Sequence, residues 1–136
     1  LSALTFTDTF KAGASLYGIG NLETLATDTH KFESRYLDKL VGCYPEQQKT
    51  YYQRSPINHI DRLNCPVIFL QGLEDKVVPP NQAKLMINSL EKKGIDVVYI
   101  EFPDEGHGFR KSENIIRAMQ AELTFYLDVF NLSNGK

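Results

Sequence analysis

The chain has 136 residues, of which 42% are hydrophobic and 24% are charged, and its formal net charge is −2. This composition is typical of one folded globular domain. No basic run exceeds two residues, and no apolar run approaches the roughly 18 residues that span a bilayer, so we expect neither a nucleic-acid partner nor a membrane span. The chain begins with Leu1 rather than Met, so we expect it to be part of a longer polypeptide. It shows no targeting signal, and a cytoplasmic location is the default expectation.

Three apolar segments are predicted to be buried strands. They are residues 10–19 (FKAGASLYGI), 66–72 (PVIFLQG) and 96–103 (DVVYIEFP). Continuous runs of branched and aromatic residues are typical of strands that are covered on both faces, as in parallel sheets.

Helical patterns alternate with these strands. One apolar stripe has helical spacing between Pro80, which suits a first turn, and Gly94, which suits a C-terminal cap; it consists of Ala83, Met86, Ile87 and Leu90. A longer stripe follows a possible cap at Ser112 and consists of Ile116, Met119, Leu123, Leu127 and Phe130. Residues 31–42 and 46–54 are weaker helix candidates. The alternation predicts one α/β domain with a mainly parallel sheet of about three strands flanked by helices.

Titratable side chains follow the second and third predicted strands, in the loops GLEDKVVP and DEGHGF. Functional groups of parallel α/β sheets collect at the carboxyl ends of the strands, so Asp75 and His107 are expected on neighbouring loops at one edge. A histidine with an orienting carboxylate is the base half of nucleophilic catalysis. Glu74 is a rival acid, whereas Asp104 and Glu105 are expected to be solvated loop carboxylates.

The two loops and the segment before them resemble the catalytic domain of the prolyl oligopeptidase family of serine peptidases, above all its acylaminoacyl-peptidase and dipeptidyl-aminopeptidase members. The resemblance rests on a Ser-Pro pair, a Pro before a strand, Gly-x-x-Asp-x-x-Val-Pro followed by Gln, and Gly-His-Gly-Phe. In this sequence those positions are Ser55, Pro56, Pro66, Gly72, Asp75, Val78, Pro79, Gln82, Gly106, His107, Gly108 and Phe109. The order and spacing of the set make the resemblance specific.

The resemblance implies that residues 1–136 form the C-terminal half of an α/β-hydrolase domain, with Asp75 as the triad acid and His107 as the triad base. It implies short peptide substrates and neither cofactor nor metal. The family's nucleophile is the serine of Gly-x-Ser-x-Gly, which does not occur here. The opening LSALTFTDTF resembles the end of the helix that follows that serine, so the nucleophile is expected about ten residues upstream of Leu1. The chain alone is then expected to be inactive.

Three alternatives remain open. Ser15 precedes Asp75 and His107 in the required order, but Tyr17 replaces the second glycine of the motif. The fold does not fix the substrate, so a carboxylesterase or a dienelactone-hydrolase-like enzyme would use the same loops. A non-catalytic fragment is the third alternative. A sheet cut from a larger one leaves an unpaired edge, so we expect the chain to form homo-oligomers through that edge.

The remaining candidates have weaker signals. Cys43 and Cys65 belong to no zinc-binding pattern and are expected to be buried free thiols. His30 and His59 lie in polar segments and are expected to be solvated or capping.

Overall fold

A computed structural model describes residues 1–28 and 36–132 of the chain. The helices are α1 (Ser2–Phe6), α2 (Leu22–Asp28), α3 (Tyr36–Leu40), α4 (Gln48–Arg54), a 3₁₀ helix (Pro56–Arg62), α5 (Asn81–Lys93) and α6 (Ser112–Val129). The strands are β1 (Gly13–Leu16), β2 (Val67–Gly72) and β3 (Val97–Phe102). The predicted helix at 46–54 is confirmed as α4. Of the candidate at 31–42, residues 36–40 form α3 and residues 31–35 lie outside the described part of the chain.

The three strands form one parallel sheet in the order β1-β2-β3. Val67 pairs with Gly13 on one side and with Val97 on the other, so β2 is the central strand. All six β2 residues are buried, as expected for a strand with neighbours on both sides and helices on both faces. The predicted parallel α/β sheet is confirmed, and its order brings the ends of β2 and β3 side by side.

Two details of the strand predictions are wrong. β1 is only four residues long, and it ends where Tyr17 takes a left-handed backbone conformation with φ 42°. β3 was expected to be covered on both faces, but Val98 is 41% exposed. β3 is the last strand of the described sheet, and an edge strand keeps part of its surface in contact with solvent.

Helix α5 covers one face of the sheet and confirms the spacing seen in the sequence. Its predicted stripe is buried, with Met86 and Leu90 fully enclosed against Val67 and Phe69. The helix ends at Gly94, whose φ of 82° suits a C-terminal cap that glycine adopts without strain. A third apolar cluster forms beneath the short helices α2 to α4, around Leu25, Leu37 and Tyr51.

Helix α6 covers the other face with a different stripe from the one predicted. Ala118 and Phe125 contact the sheet, and Ala121, Tyr126 and Val129 pack beside them. The predicted stripe includes the exposed residues Ile116, Met119, Leu123 and Phe130. The buried face of α6 therefore includes the small residues Ala118 and Ala121, and several larger apolar residues of the predicted stripe face solvent. Ser112 is not the cap either, because Lys111 takes the N-cap position and makes no side-chain capping bond.

This correction predicts that two truncations in α6 differ greatly in their effect on stability. Phe125→Ala removes a buried ring and is expected to lower the free energy of unfolding by about 3 kcal/mol. Met119→Ala, the matched control, removes a side chain that is 67% exposed and is expected to change it by less than about 0.5 kcal/mol. Urea unfolding of the 136-residue chain measures both values. A larger loss for Met119→Ala would mean that the stripe predicted from the sequence is the buried face of α6.

No helix in the described residues is long and apolar enough to cross a membrane.

Candidate active site

Asp75 lies in the loop that follows β2 and is fixed by the backbone of that loop. Its Oδ1 accepts the backbone N–H groups of Val77 at 2.9 Å and Val78 at 2.8 Å. The side chain is completely buried. Because two donors already hold one carboxylate oxygen, the carboxylate plane is set and the other oxygen is presented in a fixed direction.

His107 lies in the loop that follows β3, and its Nδ1 is 3.0 Å from Asp75 Oδ2. An ionised carboxylate can only accept a hydrogen bond, so this contact favours the tautomer with the proton on Nδ1. Nε2 is then left unprotonated and able to take a proton. The imidazole is 39% exposed while the carboxylate is fully buried, so solvent can reach the ring but not the carboxylate that contacts it. The predicted juxtaposition of Asp75 and His107 is present.

The two loops are also joined through their backbones. Leu73 N–H donates to Phe102 O, and Glu74 N–H donates to Glu105 O, both at 3.0 Å. Gly72 directly precedes Leu73, and a Cβ added to it would be 2.4 Å from Glu105 O. Only glycine permits this approach. The last residue of β2 therefore sets the spacing between the loop that carries Asp75 (the acid loop) and the loop that carries His107 (the histidine loop).

Glu105 is buried, contrary to the expectation of a solvated carboxylate. It is 3% exposed, and it accepts the backbone N–H groups of Arg110 and Lys111 and the Nδ2 of Asn114 at 2.9–3.0 Å. The bond from Asn114, followed by those from the two backbone donors, lowers the pKa of Glu105 although burial acts in the opposite direction. Asp104 is half-exposed, as expected, and it contacts Lys111 and Asn114.

The lowered pKa of Glu105 predicts a loss of stability in acid. A carboxyl group whose pKa is depressed by folding stabilises the fold above its ordinary value, 4.5 here, and loses that contribution as the pH falls through the folded value. As the pH is lowered below about 4.5, the urea concentration at the unfolding midpoint should therefore decrease, and it should decrease less steeply in Glu105→Gln. Asp104 titrates in the same direction, so Asp104→Asn is measured alongside. Identical slopes in Glu105→Gln and the unsubstituted chain would contradict this assignment.

An apolar cleft of about 670 Å³ opens beside His107. The Tyr17 ring forms part of its wall and lies 4.8 Å, centroid to centroid, from the imidazole. The cleft is lined by Tyr17, Gly18, Ile19, Leu22, Leu25, Tyr36, Leu37, Leu40, Val41, Val77, Val78 and His107. Such a cleft can enclose an apolar group next to the histidine.

Two residues of the sequence motifs shape the wall of this cleft without entering it. Gln82 Oε1 accepts the backbone N–H groups of Gly20 and Asn21, and its Nε2 donates to Asn21 O. Ser55 Oγ accepts Leu22 N–H at 2.9 Å. Both side chains are buried and hold the segment that connects Tyr17 to α2. Sequence reasoning gave them no role, because a buried Ser or Gln has no signature without its partner.

The rival site residues do not occupy comparable positions. Glu74 is exposed, and its backbone N–H donates to Glu105 O. Ser15 is buried within β1, and its Oγ has no hydrogen-bond partner among the described residues. Its place inside a strand differs from the sharp strand-to-helix turn that exposes a nucleophilic serine.

The remaining candidates are placed as follows. Cys65 is buried as expected, but Cys43 is exposed, which corrects the prediction of two buried thiols. His59 is partly buried: its Nε2 is enclosed, and its ring centroid is 5.3 Å from that of Phe6. His30 lies outside the described residues.

The chain is similar to known peptidases and to an ester hydrolase. Dipeptidyl aminopeptidase BIII of Pseudoxanthomonas mexicana is 32% identical over 120 residues, which cover 84% of this chain and 17% of that protein. The structure of a puromycin-hydrolyzing peptidase of Mycobacterium tuberculosis is 46% identical with a TM-score of 0.90, covering 93% of this chain and 19% of that one. A probable carboxylic ester hydrolase of the same organism, LipM, is 28% identical over 102 residues, or 73% of this chain and 24% of that protein.

The chain thus spans less than a fifth of the length of the two peptidases. The α/β-hydrolase fold expected from the sequence is confirmed by the solved peptidase structures that superpose on it. The model of the prolyl oligopeptidase family matches residues 1–133. This chain therefore belongs to the prolyl oligopeptidase family.

Proposed function

We propose that this chain supplies the acid and the base of a Ser-His-Asp triad in a serine peptidase that hydrolyses short peptides. The observation that carries the proposal is the 3.0 Å contact between His107 Nδ1 and the buried Asp75 Oδ2 at the carboxyl edge of a parallel sheet. Chain order supports it, because the hydrolase fold places acid before histidine. Membership of a peptidase family supports the substrate class.

In the proposed mechanism His107 Nε2 takes the proton of a serine hydroxyl as the serine oxygen attacks the peptide carbonyl. Asp75 keeps the other ring proton on Nδ1 and stabilises the imidazolium. His107 then gives its proton to the leaving amine, the peptide C–N bond breaks, and an ester to the serine remains. Water, deprotonated by His107, hydrolyses that ester and regenerates the serine. The serine and the oxyanion donors belong to polypeptide outside these 136 residues, so the chain alone is inactive.

The apolar cleft beside His107 supports a preference for substrates with an apolar side chain near the scissile bond. Its walls carry aliphatic and aromatic residues from Tyr17 to Val78. Burying such a side chain contributes about 1.5–3 kcal/mol of binding. Short peptides are favoured because the relatives include a dipeptidyl aminopeptidase.

An ester hydrolase is the second candidate, because the chain also matches a probable carboxylic ester hydrolase. Both activities use the same acid and base, and they differ in the leaving group that His107 protonates. An amine needs that proton more than an alkoxide does, so matched amide and ester substrates separate the two candidates. If only the ester substrate is hydrolysed at a measurable rate, the result would favour the ester hydrolase.

A chimera tests the proposal. Residues 1–132 of this chain replace the matched segment of the Mycobacterium tuberculosis puromycin-hydrolyzing peptidase, whose fold they share with a TM-score of 0.90. We expect the chimera to hydrolyse puromycin and short peptides, and His107→Ala to abolish both reactions. A folded chimera without activity, or one that stays active after His107→Ala, would contradict the proposal.

We also propose that the 136-residue chain forms homo-oligomers through an exposed edge of its sheet. Within the described residues the outer edges of β1 and β3 pair with no strand, and unpaired edges are templates for pairing with another chain. Size-exclusion chromatography with light scattering should show species larger than 15.5 kDa. A single monomeric peak at high concentration would contradict this.

A further inference from the structure

The side chain of Glu105 forms hydrogen bonds to the backbone on the far side of His107. His107 is two residues after Glu105, and the Glu105 carboxylate accepts the backbone N–H groups of Arg110 and Lys111 at 2.9 and 3.0 Å. These two bonds bracket residues 106–109. The bracketed segment contains two glycines, which can adopt more backbone conformations than other residues, and Gly108 has a φ of 89°.

The backbone of Glu105 is bonded in the opposite direction, to the strands and the acid loop. Its carbonyl accepts the N–H of Glu74 at 3.0 Å, and its N–H donates to Phe102 O at 3.3 Å. Glu74 directly precedes Asp75. One residue therefore joins the start of α6, the histidine segment and the loop that carries the acid.

The burial of Glu105 distinguishes it from its neighbour. Asp104, one position earlier, is about half-exposed, and exposed ion pairs of this kind contribute little to stability. Glu105 is 3% exposed and has three donors. A buried carboxylate is costly without such partners and strongly bound with them, so its bonds define one conformation of the segment.

We propose that Glu105 is a positioning residue. By binding the backbone at the start of α6, its carboxylate fixes residues 106–109 and so holds His107 Nδ1 within hydrogen-bond distance of Asp75. The inference rests on the proposed function, because it gives His107 the role of base. Glu105 itself contacts neither substrate nor the reacting atoms. The competing explanation is that Glu105 only stabilises the start of α6.

The test uses NMR of the 136-residue chain and follows the Nδ1 proton of His107. A bonded Nδ1 proton gives a resonance well downfield of the amide region, and its exchange with water reports how often the bond opens. Asp75→Ala should remove the resonance and identifies it. A missing resonance in the unsubstituted chain would overturn the Asp75–His107 pair, and with it the proposed function.

Glu105→Ala should make this proton exchange about tenfold faster, the factor expected when one hydrogen bond that opposes opening is lost. Asp104→Ala, the matched control, should leave the exchange unchanged. Glu105→Gln retains one acceptor oxygen and should give an intermediate rate, and it carries the test if Glu105→Ala fails to fold. If the Glu105 variants lose thermal stability but keep the resonance and its exchange rate, Glu105 only stabilises α6 and the proposal is overturned.

Discussion

Asp75→Asn in the chimera is expected to lower kcat for peptide hydrolysis about ten-thousandfold, with little change in KM. The structure gives the reason. Asp75 Oδ1 is held by the N–H groups of Val77 and Val78, so an amide at this position would keep its oxygen there and turn its NH₂ toward His107. That NH₂ donates to Nδ1 and moves the ring proton to Nε2, where a general base must be unprotonated.

Steady-state kinetics with one peptide substrate measures the effect, and Glu74→Gln is the matched control. Glu74 is the neighbouring carboxylate and is exposed, so its neutralisation should leave kcat within about twofold, the range of ordinary surface substitutions. A large loss for Glu74→Gln together with a small loss for Asp75→Asn would make Glu74 the acid. Unchanged melting temperatures are required of both variants for the comparison.

Gly72→Ala is expected to cost about 3 kcal/mol of stability and most of the activity of the chimera. The new Cβ would lie 2.4 Å from Glu105 O and 2.6 Å from Gly106 O. Both are backbone atoms, so a side-chain rotation cannot relieve the clash. The acid and histidine loops must then move apart, which lengthens the Asp75–His107 contact.

Gly106→Ala is the control for this clash, because its Cβ would meet nothing closer than Glu74 O at 3.8 Å. It should cost less than about 1 kcal/mol. Urea unfolding of the 136-residue chain gives both stabilities, and the chimera gives both activities. Equal stability losses at the two glycines would mean that the close approach at Gly72 does not set the loop spacing.

The part of the fold that could be predicted from sequence is the part that rests on local patterns. The stripe of α5 was predictable because Met86 and Leu90 are large, apolar and helically spaced, with Gly94 as the stop signal. The juxtaposition of Asp75 and His107 was predictable because parallel strands bring their carboxyl ends together. Their roles as acid and base remain proposals.

The features that escaped prediction depend on contacts made across the fold. Glu105 was predicted to be a solvated loop carboxylate, because two of its three donors, at Arg110 and Lys111, are backbone N–H groups that no sequence pattern indicates. The stripe of α6 was misplaced because size and spacing favour Met119 and Leu123, whereas the sheet accepts the smaller Ala118. Tertiary packing overrides local periodicity in this helix.

The most direct test of the central claim is the rate at which a fluorophosphonate probe labels the chimera. The probe reacts only with a serine that a base has activated, so labelling reports on His107 without depending on substrate binding. We predict labelling of the serine supplied by the host peptidase, slowed at least about a hundredfold by His107→Ala. Labelling of that serine at an unchanged rate in His107→Ala, or labelling of Ser15 instead, would contradict the account.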